Sequence, residues 1–197
     1  MLKTTNIFRN IKASEPVKSD EELFFSYCAG NHHAFAELYA RYKSQLYTFC
    51  VRMVGERDRA GDAFQETFLR LIKYQNSFKA EKKFGPWLFA IARNACLRIL
   101  EDEGLYTELD EAMAEELLFG QKSGGLDFSE KKTIADALLQ LPANLREVIM
   151  LYEYEGFSYD EIMQITNVSM SLVKVRIHRA RNLLREILDP VFGDENK

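Results

Sequence analysis

The chain is predicted to be all-α, with two small helical domains joined by an acidic flexible linker. Three observations predict this. Apolar residues recur at three- and four-residue spacing in window after window. Two capping boxes mark helix starts. Only 4 Pro and 10 Gly interrupt the 197 residues, and β-branched runs are few. A hydrophobic content of 47%, with 14 Phe and 9 Tyr, suffices for packed cores and argues against wholesale disorder. No apolar stretch approaches the roughly 20 residues of a spanning helix, and the N-terminus lacks the apolar core and cleavage site of a secretion signal. The chain is therefore expected in the cytoplasm, without membrane insertion.

Residues 1–18 are polar, contain Pro16 and show little periodicity, as in a loose leader. Ser19-Asp20-Glu21-Glu22 forms a capping box and opens a helix carrying Leu23, Phe24, Tyr27 and Cys28, which stops near Gly30. Asn31 caps the next helix, where Phe35, Leu38, Tyr39, Tyr42, Leu46 and Phe49 share a face. A third helix, roughly residues 59–74, sets Ala60, Phe64, Phe68 and Leu71 on its inner face. Lys79 to Lys83 form a basic loop, and Pro86 suits the first turn of a fourth helix running through Arg98. Four helices with short connections make a bundle over residues 19–100.

Residues 101–128 differ in kind, with nine acidic residues against one Lys. They form either a solvated linker or a short amphipathic helix with Tyr106, Leu109, Met113 and Leu117 on one face. A second module spans residues 129–190, before a tail over 191–197. One helix ends at Leu141-Pro142 and another carries Val148, Ile149, Leu151 and Tyr152. Ser158-Tyr159-Asp160-Glu161 is the second capping box, opening a helix that ends at Thr166-Asn167. Asn best tolerates a left-handed turn among the non-glycine residues. The last helix follows Ser169, with Val173, Ile177, Ala180 and Leu184 as its buried stripe. A capped helix, a tight turn and a helix with a basic outer face constitute a helix-turn-helix.

The overall charge of −4 argues against a nucleic-acid partner until it is divided by segment. Residues 31–100 carry +6, residues 101–128 carry −8, and residues 129–190 sum to −1. Lys174, Arg176, Arg179, Arg181 and Arg185 meet no acidic residue within their own stretch, 171–185. A recognition helix must offset phosphate charge and present side chains to base edges. Lys174, Arg176, Arg179 and Arg181 lie off the buried stripe, His178 sits among them, and Ser169 and Ser171 occupy the N-terminal end that enters a groove deepest.

Catalytic and cofactor chemistry find no support. The sequence holds no phosphate-binding loop, no dinucleotide fingerprint and no zinc spacing. Cys28, Cys50 and Cys96 are scattered, odd in number and without a C-x-x-C pair, as suits a reducing compartment. Cys28 and His32 are four apart but separated by the helix break at Gly30-Asn31. Neither a cofactor nor a metal is expected.

The stretch Leu141-Pro142, Arg146-Glu147-Val148, Glu155 to Ile162, Val168-Ser169 and Val173 to Arg181 closely resembles region 4 of extracytoplasmic-function (ECF) sigma factors. The resemblance implies a module that reads the −35 promoter element, through Ser169, Ser171, Lys174, Arg176, His178, Arg179 and Arg181, and that docks on the β flap of RNA polymerase. Asn167 stands where the family usually has Gly, and Leu172 and Val175 replace a usual Thr and a frequent Ser. Apolar side chains there can read only shape or thymine methyls.

The N-terminal module agrees. Ala34 to Tyr42 resembles the opening of sigma region 2. Asp62-Ala63-Phe64-Gln65-Glu66-Thr67-Phe68-Leu69 resembles the segment that grips the β′ clamp helices of core RNA polymerase, and implies contact through Asp62, Gln65, Glu66 and Leu69. These four share a helix face by spacing. Phe84 to Asn94 resembles the segment that captures the melted −10 element, which implies DNA contact by Lys79, Lys82, Lys83, Arg93 and Asn94. Trp87 reads as core, and Gly85 stands where the family commonly has Arg. The resemblance implies an alternative, non-enzymatic sigma factor with core polymerase and promoter DNA as partners and, as for most relatives, an anti-sigma factor. Its rivals are a self-sufficient helix-turn-helix regulator, which needs symmetry and a palindromic site, and a helical adaptor that no longer binds DNA.

Overall fold

The computed structural model describes residues 18–106 and 134–192, with side chains through 188. Among the described residues the fold is helical throughout, as expected: α1 (Asp20–Cys28), α2 (His32–Val54), α3 (Arg57–Lys73), α4 (Phe84–Asp102), α5 (Ile134–Leu139), α6 (Ala143–Ile149), α7 (Tyr159–Thr166) and α8 (Met170–Phe192). The leader, most of the acidic linker and its amphipathic stretch beyond Tyr106, and the tail from residue 193 lie outside them.

The caps read from sequence are in place. Ser19 accepts from the Glu22 amide while the Glu22 carboxylate receives the Ser19 N–H, and Ser158 and Glu161 repeat the exchange at α7. Asn31 accepts from the His33 amide. Acidic residues in the first turn of α1 also serve other elements. Glu21 Oε1 receives the Phe84 N–H at 2.8 Å, satisfying a donor that the start of α4 leaves open. Asp20 receives Arg41 and the Tyr42 hydroxyl, each at 2.5 Å. Burial and the Asp20 carboxylate together push the Tyr42 hydroxyl far above its usual range.

The first module closes around aromatic rings. Phe24 meets Phe78, Phe84 and Trp87 at centroid separations of 5.2, 5.1 and 5.3 Å. Trp87 therefore belongs to the core cluster, as its apolar neighbours suggested. Phe24, Phe49, Phe84 and Phe89 are fully buried, and truncating such a ring to Ala costs about 3–5 kcal/mol. The inner seam of α3 differs from expectation. Ala60, Ala63, Thr67 and Leu71 face the core, with the Thr67 hydroxyl donating to the Ala63 carbonyl. Phe64 and Phe68 are half-buried and rotated towards Tyr39, Tyr47 and Phe35. Small residues at the seam let α3 lie close, and the rings then cover its flank.

The second module is built on α6, which continues into one π-helical turn over Met150–Tyr154. Its widened spacing shows in the Glu155 N–H, which reaches back to the Met150 carbonyl at 3.2 Å. Met150 and Leu151 stay buried while Glu153 and Tyr154 turn outward. Asn167 ends α7 at φ 58° and ψ 35°, the left-handed conformation its identity predicted.

The two modules pack on each other, which a flexible tether did not suggest, and one continuous cluster of buried residues runs through both. The Arg146 guanidinium, itself buried, donates to the Met53 carbonyl in the last turn of α2 and to the Leu139 and Leu141 carbonyls of its own module. Carbonyls left open at a helix C-terminus favour such a cation. Leu139 lies against Gly55, the left-handed cap of α2, where a Cβ would stand 3.0 Å from its Cδ2. Phe89 meets Phe157 at 5.0 Å, and Arg52 lies 4.0 Å over the Tyr154 ring.

Burial near this seam pushes the Glu155 carboxyl up to about 7 from 4.5, against the opposing pull of Arg52. The folded state thus holds the proton more tightly than the unfolded chain. Stability from this group is present at acid pH and lost as pH rises from about 4.5 through 7. Glu155→Gln is expected to raise Tm by about 2–4 °C at pH 8, after discounting for partial exposure, and to leave it nearly unchanged at pH 4. Thermal melts at the two values check this.

Candidate nucleic-acid interface

α8 presents one end and one face to solvent. Ser169 caps it, accepting the Leu172 N–H at 3.3 Å, and its hydroxyl lies 3.0 Å from that of Ser171. Val173, Ile177 and Ala180 are buried, with Leu184 half-buried below them. This stripe orients the helix so that Ser171, Lys174, Val175 and His178 form the exposed face of its first turns. The His178 ring is 3.1 Å from the Asn182 amide nitrogen, which steadies it on the surface.

The remaining basic residues do not share that face equally. The Arg181 guanidinium donates to Glu153 at 2.6 Å and lies 5.2 Å over the Tyr152 ring, tying α8 to the π turn. Arg179 is half-buried. Arg176 is the correction: expected on the exposed face, its side chain is only 13% exposed and turns inward, 3.5 Å from the Glu147 carboxylate. The helix projects position 176 towards α6, so its charge neutralises a buried acid. Of the seven residues expected to meet DNA here, Ser169, Ser171, Lys174 and His178 are accessible together. Val175, the apolar residue that stands where the family frequently has Ser, is 41% exposed at their centre.

In the first module, Asp62 and Gln65 are exposed along α3 and Leu69 is 62% exposed. Glu66, on the same side, is held by Arg70 at 2.6 Å, and that guanidinium keeps its carboxyl below the usual range. The four expected residues therefore do form one accessible strip. Ile72, 41% exposed and three residues beyond Leu69, extends its apolar end. The same three-residue spacing could have found it.

Lys79 and Lys82 stand in the exposed loop before α4. Lys83 reaches across to α7 and meets Glu161 at 2.8 Å, which raises the lysine and lowers the acid. Asn94 is exposed. Arg93 is not. Its Nε and Nη2 donate to the two Glu147 oxygens at 2.6 and 3.1 Å, with 13% of its side chain exposed. Glu147 is thus a fully buried carboxylate between Arg93 of the first module and Arg176 of the second. Desolvation nevertheless pushes its carboxyl up, the two guanidiniums opposing. Sequence reading quoted Glu147 without a role. A charge immediately before the apolar run from Val148 to Leu151 was the available signal.

A cleft of about 460 Å³ opens beside this triad, lined by Arg93, Asn94, Asn144, Gln164, Asn167 and Arg176 among others. Among the described residues no group of His, Cys, Asp or Glu stands where it could hold a metal ion. No helix among them is long and apolar enough to cross a membrane.

These two helical modules, in this order, define a class. Residues 38–105 match sigma-70 region 2 and residues 131–184 match sigma-70 region 4. The chain is 34% identical over 173 residues to the ECF RNA polymerase sigma factor SigW of Bacillus subtilis, covering 81% of this chain and 91% of the relative. It is 32% identical over 162 residues to the RNA polymerase sigma factor CarQ of Myxococcus xanthus, with the same coverage. The fold is similar to the sigma factor RpoE of Bartonella quintana, solved with the anti-sigma factor NepR, at TM-score 0.61 and 28% identity over 79% of this chain and 96% of that one. It is also similar to CnrH, solved with the cytosolic domain of CnrY, at TM-score 0.65 and 26% identity over 88% and 99%. The chain belongs to the ECF group of the sigma-70 family.

Arg176 and Lys174 should respond differently to truncation. Arg176→Ala removes one of two cations from a buried carboxylate and is expected to lower stability by about 1–3 kcal/mol. Lys174→Ala should stay within about 0.5 kcal/mol of wild type. Urea titrations of the two variants check the difference.

Proposed function

We propose that this chain binds core RNA polymerase and directs it to promoters carrying −10 and −35 elements. The observation that carries the reading is that region 2 and region 4 occur in the family's order, each with an accessible surface at the expected segment. Asp62, Gln65, Glu66 and Leu69 would meet the β′ clamp helices, with the acidic and amide groups offering polar contacts and Leu69 the apolar one. The second module would dock on the β flap.

Ser169, Ser171, Lys174 and His178 would enter the major groove at the −35 element. Lys174 supplies phosphate charge, and Ser171 and His178 offer hydrogen bonds to base edges. Arg179, Arg181 and Arg185 lie further along α8, where phosphate contact is the expected role. Lys79, Lys82, Lys83, Arg93 and Asn94 would hold the displaced strand of the −10 element, since a melted strand needs a cationic path and side chains that can reach its bases. Sigma factors act as initiation factors, with catalysis belonging to the polymerase. Because two similar structures contain an anti-sigma factor or the cytosolic domain of a partner, a protein inhibitor of that kind is the expected regulator.

Replacing Asp62, Gln65 and Glu66 together by Ala is expected to weaken binding to core enzyme at least about tenfold, equivalent to about 1.4 kcal/mol, without changing helical content. Association measured against purified core polymerase checks it. Undiminished binding would place the interface elsewhere.

A further inference from the structure

We propose that Val175 sets a thymine preference at one position of the −35 element, through contact between its isopropyl group and the C5-methyl of that base. This rests on the assignment of α8 to the −35 element made above, and names the residue of that surface that selects the base. Val175 is 41% exposed, and among the described residues it is the one large apolar side chain of α8 that is exposed. Leu172, the neighbouring departure from the family's pattern, is half-buried. A single exposed valine is ordinary on a protein surface. This one stands at the middle of the face that would enter the groove. It lies four residues after Ser171, three before His178 and next to Lys174, all of them exposed.

The fold holds that position in place. Val173, Ile177 and Ala180 are buried, which fixes the rotation of α8 about its axis and keeps position 175 turned outward. Ser169 caps the first turn by accepting the Leu172 N–H, and the Asn182 amide steadies the His178 ring. A helix rises about 1.5 Å per residue, so Ser171 and His178 are separated by about 10.5 Å along the axis. That equals about three base-pair steps of about 3.4 Å, with Val175 between the two polar groups. A valine in a helix keeps one χ1 rotamer roughly nine times in ten. Its two methyls are therefore positioned before DNA arrives, unlike the flexible Lys174 ammonium beside it.

The chemistry of the groove decides which base such a group accepts. Guanine presents two acceptors there, cytosine an amino donor, adenine an acceptor and a donor, and thymine one acceptor beside a methyl. An isopropyl group neither donates nor accepts. Pressed on cytosine or adenine, it would take an amino donor from water and return no hydrogen bond, which is unfavourable. Pressed on thymine, it covers a methyl that water solvates poorly. A serine hydroxyl at the same place donates or accepts and so tolerates more than one base. Valine gives up that tolerance for one base.

Holoenzyme assembled from purified core polymerase and the full chain tests this, on a promoter recovered by mapping its start sites. Each thymine of the −35 element, on both strands, is replaced in turn by deoxyuridine, which removes only the methyl. With wild-type chain, one replacement is expected to weaken binding about fourfold, as for one methyl-sized group returned to water. Changing that T·A pair to C·G should weaken it about tenfold. With Val175→Ser, the same deoxyuridine should change binding by less than about twofold, because the group that met the methyl is gone. The exposed position makes this variant as helical as wild type. Wild-type binding indifferent to every deoxyuridine would overturn the proposal. So would a loss that persists undiminished in Val175→Ser, since it would belong to DNA shape or to another side chain. Both outcomes leave the promoter reading standing. Holoenzyme that gives no start sites beyond those of core alone would sink that reading, and this proposal with it.

Discussion

The arrangement depends on one buried carboxylate. Glu147 is fully enclosed, and removing such a charge from water costs several kcal/mol unless cations and hydrogen bonds offset it. Arg176 reaches it from α8 and Arg93 from α4. Its carboxyl is still held above the usual range by burial, so the triad adds little net stability. What it fixes is geometry: the angle of α8 against α6, and the position of region 4 against α4. An apolar residue at 147 would pack as well and specify neither.

That constraint explains why the charge pattern along the chain and the charge pattern on the surface differ. Region 2 carries the basic excess, yet Arg93, Lys83, Arg59 and Arg41 are each engaged by carboxylates. On α8, Arg176 and Arg181 are engaged likewise. The exposed cations are therefore spread thinly, with Lys79 and Lys82 in the loop before α4 and Lys174 in the first turns of α8, and non-specific affinity follows the number of phosphates neutralised.

Local features were legible in the sequence because local chemistry decides them. Both capping boxes, the Asn31 cap, the left-handed Asn167 and the buried stripe of α8 follow from residues a few positions apart, and each stands as read. So does the accessible strip of Asp62, Gln65, Glu66 and Leu69. The misread features depend on packing partners far along the chain. Phe64 and Phe68 have the spacing of a core seam, but Ala60 and Ala63 fit closer to α2 and α4 and displace them. Arg176 has the spacing of an outward cation, and only the fold brings Glu147, 29 residues earlier, beneath it. Arg93 and Glu147 are separated by 54 positions, and the intervening acidic linker suggested independent modules.

The central claim is that this chain gives polymerase its promoter choice. Transcription reconstituted from purified core enzyme, the full chain and fragmented chromosomal DNA, with every 5′ end mapped, tests it most directly. The account predicts discrete start sites, absent with core alone, each preceded by a shared −10 element and a shared −35 element at fixed spacing. Start sites unchanged by adding the chain would contradict it, as would a palindromic site occupied by the chain without polymerase.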